Sequence, residues 1–357
     1  MTLILSTALA GIVGDVTDPV QFELNGTFNR VFPDDEGGWT VALGAGRGLK
    51  MQAVDGDLQA LSQFEDVISG TEFIDIAITP CPDGGWLVAG SGNVESHNDS
   101  LWVYRLDADD NVVGNSTVVD RQQGANTNDM AVICSSGVSG VGWSNSFAFV
   151  DDQGQVSGTA DMPQFLMGSG FAHIDGQVYV TTAGGPQDSA IQLGIFDYEM
   201  KAQASHTLSV DVDQGRVYWP QRMLKLDDDT YVVVSMARFE QDFQADEGNV
   251  WLHFYDSGWN LIESTQISQF EGPVGCMRPW VSRSGDTLVV SWDSEIKPFA
   301  VTATIGGVGS VDTSDSGIGD TGGGLFGPDK GCGCNGSAGG ALVLVALPWL
   351  IRRRRRG

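Results

Sequence analysis

DGGWLVAGSG (residues 83–92) and the LWVYRLDADDNVV that follows it (residues 101–113) decide the fold. Two glycines make a tight turn, and Trp86 opens a run of apolar and small residues. A second stretch alternates from Leu101 to Asp107, a polar turn follows, and Val112 and Val113 resume the apolar pattern. Strands show period-two alternation bounded by Gly, Asp and Asn, so this is a strand–turn–strand meander and no helical period runs through it.

The same plan recurs along the chain. VWLHFYDSGWNLI (250–262) aligns with 101–113 without a gap, Trp102 meeting Trp251 and Asn111 meeting Asn260. SFAFVDDQGQVSG (146–158), LGIFDYEMKAQA (193–204) and KMQAVDGDLQAL (50–61) are further copies. The repeated aspartates are Asp55, Asp107, Asp151, Asp197 and Asp256, spaced by 52, 44, 46 and 59 residues. Those periods fall in the propeller range and exceed the shorter solenoid periods. An Asp that heads a hairpin accepts hydrogen bonds from amides further along the turn, so these five read as blade-turn residues.

A second marker precedes each copy. EGGWTVALGAG (36–46) matches DGGWLVAGSG, and GVSGVGW (137–143), DGQVYVTTAGG (175–185), DDDTYVVVSMA (228–237) and SGDTLVVSW (284–292) are degenerate versions. Another apolar stretch lies upstream of each, such as FIDIAIT (73–79) or MAVIC (130–134). One unit is therefore four strands, and small residues suit crowding near a central axis. The chain reads as all-β, a six-bladed β-propeller over residues 20–306. The sixth unit ends at FAVTATIGG (299–307) after its third strand, and VQFELNG (20–26) is an orphan. Pairing the orphan to the last blade closes the ring and removes an edge. The paired glycines, aromatic and spaced Asp resemble the tandem blades of bacterial surface and secreted propeller proteins, most clearly in residues 83–113.

Composition limits function. The chain has 357 residues, 46 acids against 19 Lys and Arg, and a formal charge of −27. Residues 312–357 hold four of the acids and six of the bases, so residues 1–311 carry −29. Duplex binding needs clustered Lys and Arg, so no nucleic-acid partner is expected. An acidic surface of this kind is soluble and repels anionic lipid.

Both termini carry address signals. Leu3 to Val13 is apolar, and Ala8-Leu9-Ala10 fits the small-x-small pattern of signal peptidase. Residues 1–19 therefore read as a signal peptide, weak or truncated because no base precedes the apolar run; a buried first strand is the alternative. Residues 307–330 are rich in Gly, Asp, Ser and Thr and predict a flexible, disordered acidic linker. Residues 331–357 hold Cys332 and Cys334, the apolar run Ala341 to Ile351, and Arg352, Arg353, Arg354, Arg355 and Arg356. The apolar run is short against the roughly 20 residues of a stable span, but predicts a short transmembrane helix stopped by the arginines. This ending resembles the MYXO-CTERM sorting signal of myxobacterial surface proteins. The resemblance implies a sorting protease, processing near Cys332 and Cys334, and attachment through them at the cell envelope. An ordinary membrane anchor is the alternative.

Three cysteines remain in the body. Cys81 and Cys134 end the first strands of adjacent units and are candidates for a disulfide in an exported protein, with buried free thiols as the alternative. Cys276 is then unpaired. Histidines 97, 173, 206 and 253 are scattered, and no H-E-x-x-H, C-x-x-C or Gly-x-Ser-x-Gly motif is present. No catalytic or metal residue is assigned. DADDN (107–111) and DVDQG (211–215) alternate oxygens as calcium loops do, yet Val112 and Val118 stand where an EF-hand loop needs Gly and Glu. Calcium is the one ion the pattern could suit, turn chemistry explains the same residues, and no cofactor is expected. Trp219, Trp259 and Trp280 lie outside the matched tryptophan register and are candidate ligand contacts, with core packing as the alternative.

The reading is a non-enzymatic propeller held at the cell surface that binds a protein, glycan or matrix partner. The alternative is a secreted hydrolase or lyase with a carboxylate site in the channel. An enzyme should bring acids, an Arg or a His from different blades to the channel, whereas a binding module should show an aromatic or flat polar rim.

Overall fold

The computed structural model describes residues 11–34, 36–45, 48–70, 73–92, 100–119, 130–162, 170–183, 190–210, 216–239, 248–268, 276–294, 297–306 and 321–323. Among these residues every regular element is a strand.

Six antiparallel sheets form six blades of a propeller. Blade 1 contains β3 (Thr27–Pro33), β4 (Trp39–Gly44), β5 (Gly48–Val54) and β6 (Glu65–Ser69). Blade 2 contains β7 (Phe73–Pro80), β8 (Trp86–Gly92), β9 (Ser100–Leu106) and β10 (Val112–Val119). Blade 3 runs through β11 (Met130–Cys134), β12 (Ser139–Trp143), β13 (Ser146–Val150) and β14 (Val156–Asp161). Blade 4 runs through β15 (Gly170–Ile174), β16 (Gln177–Ala183), β17 (Ala190–Phe196) and β18 (Ala202–Ser209). Blade 5 has β19 (Arg216–Lys225), β20 (Thr230–Phe239), β21 (Asn249–Asp256) and β22 (Leu261–Gln266). Blade 6 has β23 (Cys276–Ser284), β24 (Thr287–Ser294) and β25 (Lys297–Ile305) from the C-terminal side.

The first strand of each blade adjoins the first strands of its neighbours, so β3, β7, β11, β15, β19 and β23 line the axis. Burial follows that radial order. Every residue of β8 is buried, whereas the outer strands β10, β14 and β18 are largely exposed and β22 is mostly half-buried. A central strand packs on both faces and tolerates continuous apolar sequence; an outer edge must stay polar to avoid pairing with other chains.

The N-terminal segment closes the ring, beginning at Val13 rather than residue 20. β1 (Val13–Val16) and β2 (Val20–Gln21) both pair with β25, as Val13↔Ile305, Val16↔Ala303, Val20↔Ala300 and Gln21↔Phe299. The Phe22 amide adds a bond to the Pro298 carbonyl at 3.0 Å. Of the expected closing strand 20–26, only its first residues pair, and the stretch assigned to a leader contributes β1. Apolar Val13 packs against the blade 5/blade 6 core, which is why the pairing extends upstream.

The acidic linker is also not wholly apart from the ring. β26 (Thr321–Gly323) pairs with the channel-facing edge of β15, as Ala172↔Thr321 and Gly170↔Gly323, and adjoins β7, β11 and β19. Such a strand offers backbone donors and acceptors without needing apolar side chains, so composition does not reveal it. The remaining linker, the apolar tail helix, Cys332, Cys334 and the five arginines lie outside the described residues.

Candidate functional site

The repeated aspartates all build one turn. Oδ1 of Asp55 accepts the amides of Asp57 and Gln59, at 3.0 and 2.8 Å. Asp107 accepts those of Asp109 and Asn111, Asp151 those of Gln153 and Gln155, Asp197 those of Glu199 and Lys201, and Asp256 those of Gly258 and Asn260. Hydrogen bonds to the charged form favour it. The Asn111 amide thus holds Asp107 below the ordinary carboxylate range, and the Asn260 side chain does the same for Asp256. The turn's fourth residue takes positive φ: Leu58, Asp110, Gly154, Met200 and Trp259. In DADDN, Asp107 thus serves the turn, and Asp110 accepts the Trp86 indole N–H at 2.7 Å. DVDQG lies outside the described residues.

Trp259 is at that fourth position of the Asp256 turn. Its ring meets Tyr231 at 4.8 Å and Tyr179 and His206 of blade 4 at 5.9 and 5.7 Å, so it packs blade against blade. Trp219 lies in β19, with its side chain outside what is described. Trp280 is fully buried on inner strand β23, away from the outer loops.

Cys81 and Cys134 are joined by a disulfide, Cα–Cα 5.0 Å, between blades 2 and 3. Cys276 begins β23. His173 Nε2 lies 2.7 Å from the Tyr198 hydroxyl. His253 is buried between the hydroxyls of Ser235 and Ser264, and burial pushes its pKa down to about 3. Among the described residues no three of His, Cys, Asp and Glu come together as a metal cluster. His97 lies outside them.

The centre of the ring holds what spacing did not single out. Arg30 on β3, Arg222 on β19 and Arg278 on β23 are buried, at 0%, 6% and 2% exposure, and Asp75 on β7 is buried at 0%. All four sit at breaks in strand register, between Thr27 and Arg30, Phe73 and Asp75, Pro220 and Arg222, and Met277 and Trp280. Phe28 and Arg278 also have positive φ, 63° and 52°. A bulge re-aims a side chain out of the ladder, and backbone strain persists where surrounding structure enforces it.

Two of the arginines gather round one indole. The guanidinium carbon of Arg222 is 4.0 Å from the Trp280 ring centroid, and that of Arg30 is 4.7 Å from it. Arg222 also lies 6.0 Å from the Phe32 ring, and Arg278 lies 4.4 Å from Phe28. Asp293 on β24 accepts the Phe28 and Asn29 amides and stands 3.6 Å from Arg278. Burial drives the Arg30 pKa down to about 9, and drives Arg222 well below its ordinary value with Arg30 adding like-charge repulsion. Burial raises Asp293 despite its arginine neighbours. A signal was available: FNRVF (28–32), PQRML (220–224) and CMRPW (276–280) each set an arginine in an apolar first strand of a chain poor in bases.

No family model matches the chain, and no curated protein matches it. Solved structures do. A subtype N10 neuraminidase-like protein of A/little yellow-shouldered bat/Guatemala is 13% identical, with a TM-score of 0.49, covering 81% of this chain and 98% of that one. The Neurospora crassa Pan2 WD40 domain is 12% identical with a TM-score of 0.45, covering 78% and 89%.

Proposed function

We propose that this chain is an exported, non-enzymatic β-propeller, held at the cell surface by its C-terminal tail, that binds a protein, glycan or matrix partner through the channel end of the ring. The observation that carries the binding reading is the convergence of Arg30 and Arg222 from two blades at Trp280 of a third, with Arg278 close by against Phe28. Arginines on aromatic rings serve recognition because the guanidinium is planar and rich in directed donors. Among the described residues, the buried carboxylate beside them, Asp293, is engaged by two amides and stands next to Arg278. The attachment reading rests on Cys332, Cys334, the apolar run and the arginine block.

A second reading, a hydrolase or lyase, is favoured by Asp75, a buried acid at a bulge on the inner strand of blade 2, together with arginines from other blades. Full-length protein applied to arrays of glycans and matrix proteins separates the two. Retention of an unaltered ligand is expected. Turnover that Asp75→Asn abolishes would establish the enzyme instead. Mass spectrometry of surface-exposed protein tests attachment, and a peptide running intact through Ile351 would contradict processing.

A further inference from the structure

We infer that Arg30 and Arg222 form a carboxylate-binding site in the channel, with the Trp280 ring as its wall. This deepens the binding reading above and names the chemical class the site takes.

The argument starts with unfilled donors. Arg30 Nη1 donates to the carbonyls of Asn29 and Arg278, at 3.0 and 2.9 Å. Its Nε and Nη2 are buried and have no acceptor. These two nitrogens share one edge of the guanidinium, the edge that meets a carboxylate with two parallel N–H···O bonds. Arg30 is therefore held by one nitrogen while its fork stays open. Arg222 likewise keeps Nε and Nη1 without an acceptor. The adjoining Gln221, fully buried at the β19 bulge, keeps both amide atoms unpaired.

Charge points the same way. Burying a cation without a partner is costly, and two that repel each other cost more. Among the described residues, Arg30 and Arg278 are near one buried carboxylate, Asp293, which stands 3.6 Å from Arg278, while Arg222 has Arg30 as its charged neighbour. Positive charge is in excess there among the described residues, in a body whose formal charge is otherwise strongly negative. An anion offsets that excess, and a planar carboxylate matches the open fork of Arg30. Aromatic walls at Trp280, Phe32 and Phe28 suit a carboxylate on an apolar or sugar-like carrier.

The test is thermal melting of the full chain at fixed ionic strength, with sodium benzoate, sodium glucuronate or inorganic phosphate replacing chloride. A saturable rise in melting temperature with a carboxylate is expected, weakened at least tenfold in Arg30→Lys, which keeps the charge and loses the fork, and absent in Arg222→Met. Arg222→Met without anion should melt no lower than wild type, since it removes an unpaired buried charge. No shift over chloride in wild type would overturn the site, as would an equal shift in Arg30→Lys. A larger shift with phosphate than with either carboxylate would overturn the class. Array binding that survives in Arg30→Lys would leave the surface-binding reading standing while this site fell.

Discussion

Trp280 of blade 6 lies against Arg222 of blade 5, the guanidinium carbon 4.0 Å from the ring centroid, with Arg30 of blade 1 within 4.7 Å of the same ring. One indole thus couples three blades. Its Nε1 donates to Ser282 Oγ at 3.2 Å, and Ser282 donates to the Val31 carbonyl at 2.5 Å.

Trp280→Ala should therefore cost about 3–5 kcal/mol, the range for removing a buried large aromatic. Trp280→Phe keeps a ring for the arginines and loses one hydrogen bond, so it should cost about 1 kcal/mol from that bond beyond its change in volume. Urea denaturation reads both; equal losses would show that the ring's contact with the arginines contributes nothing.

The Cys81–Cys134 bridge closes a loop with a sequence separation of 53 and joins neighbouring inner strands. Loop-closure entropy for that length puts its contribution at about 4 kcal/mol at most, and roughly 2–4 kcal/mol is expected. The Cys81→Ser, Cys134→Ser double variant should show that loss in urea. Wild type under reductant should match the variant, and wild type unchanged by reductant while the variant falls would indicate damage from serine rather than loss of the bridge.

Asp256→Ala removes the acceptor of two turn amides and of the Asn260 side chain. It should lower the melting temperature, and Asp256→Asn, which keeps one acceptor oxygen, should lower it less. Because the folded pKa of Asp256 is depressed, its contribution is full above the unfolded value and is lost as pH falls through the folded one. The gap between wild type and Asp256→Ala should accordingly narrow in acid; a gap independent of pH would remove the charge from the account.

His253 supplies a second acid dependence. Its pKa is about 3 folded, because burial excludes the charged form, against roughly 6.5 unfolded. Between those values the unfolded chain binds the extra proton. Stability is therefore full above about pH 6.5 and should decline by about 1.4 kcal/mol per pH unit below it. His253→Gln should flatten that slope in urea titrations from pH 6.5 to 4.5, whereas an unchanged slope would assign the decline to other groups.

What the sequence determined is local and repeated. Each Asp turn is closed by bonds to amides two and four residues on, so Asp55, Asp107, Asp151, Asp197 and Asp256 could be counted from spacing alone. Those five turns, taken with the six turn-into-strand markers from EGGWTVALGAG to SGDTLVVSW, yield the blades, the strand deficit of blade 6 and the equivalence of Cys81 with Cys134. Tertiary structure decided what depends on the ring. Closure begins at Val13 because that residue, with Ile12, finds the blade 5/blade 6 core, which residues far along the chain build. Thr321–Gly323 finds an open ladder edge on β15 that only the assembled channel presents. Arg30, Arg222 and Arg278 are far apart in the chain, and no spacing rule links them. They meet because a closed ring brings the first strand of every blade to one axis, and because bulges at those positions re-aim their side chains.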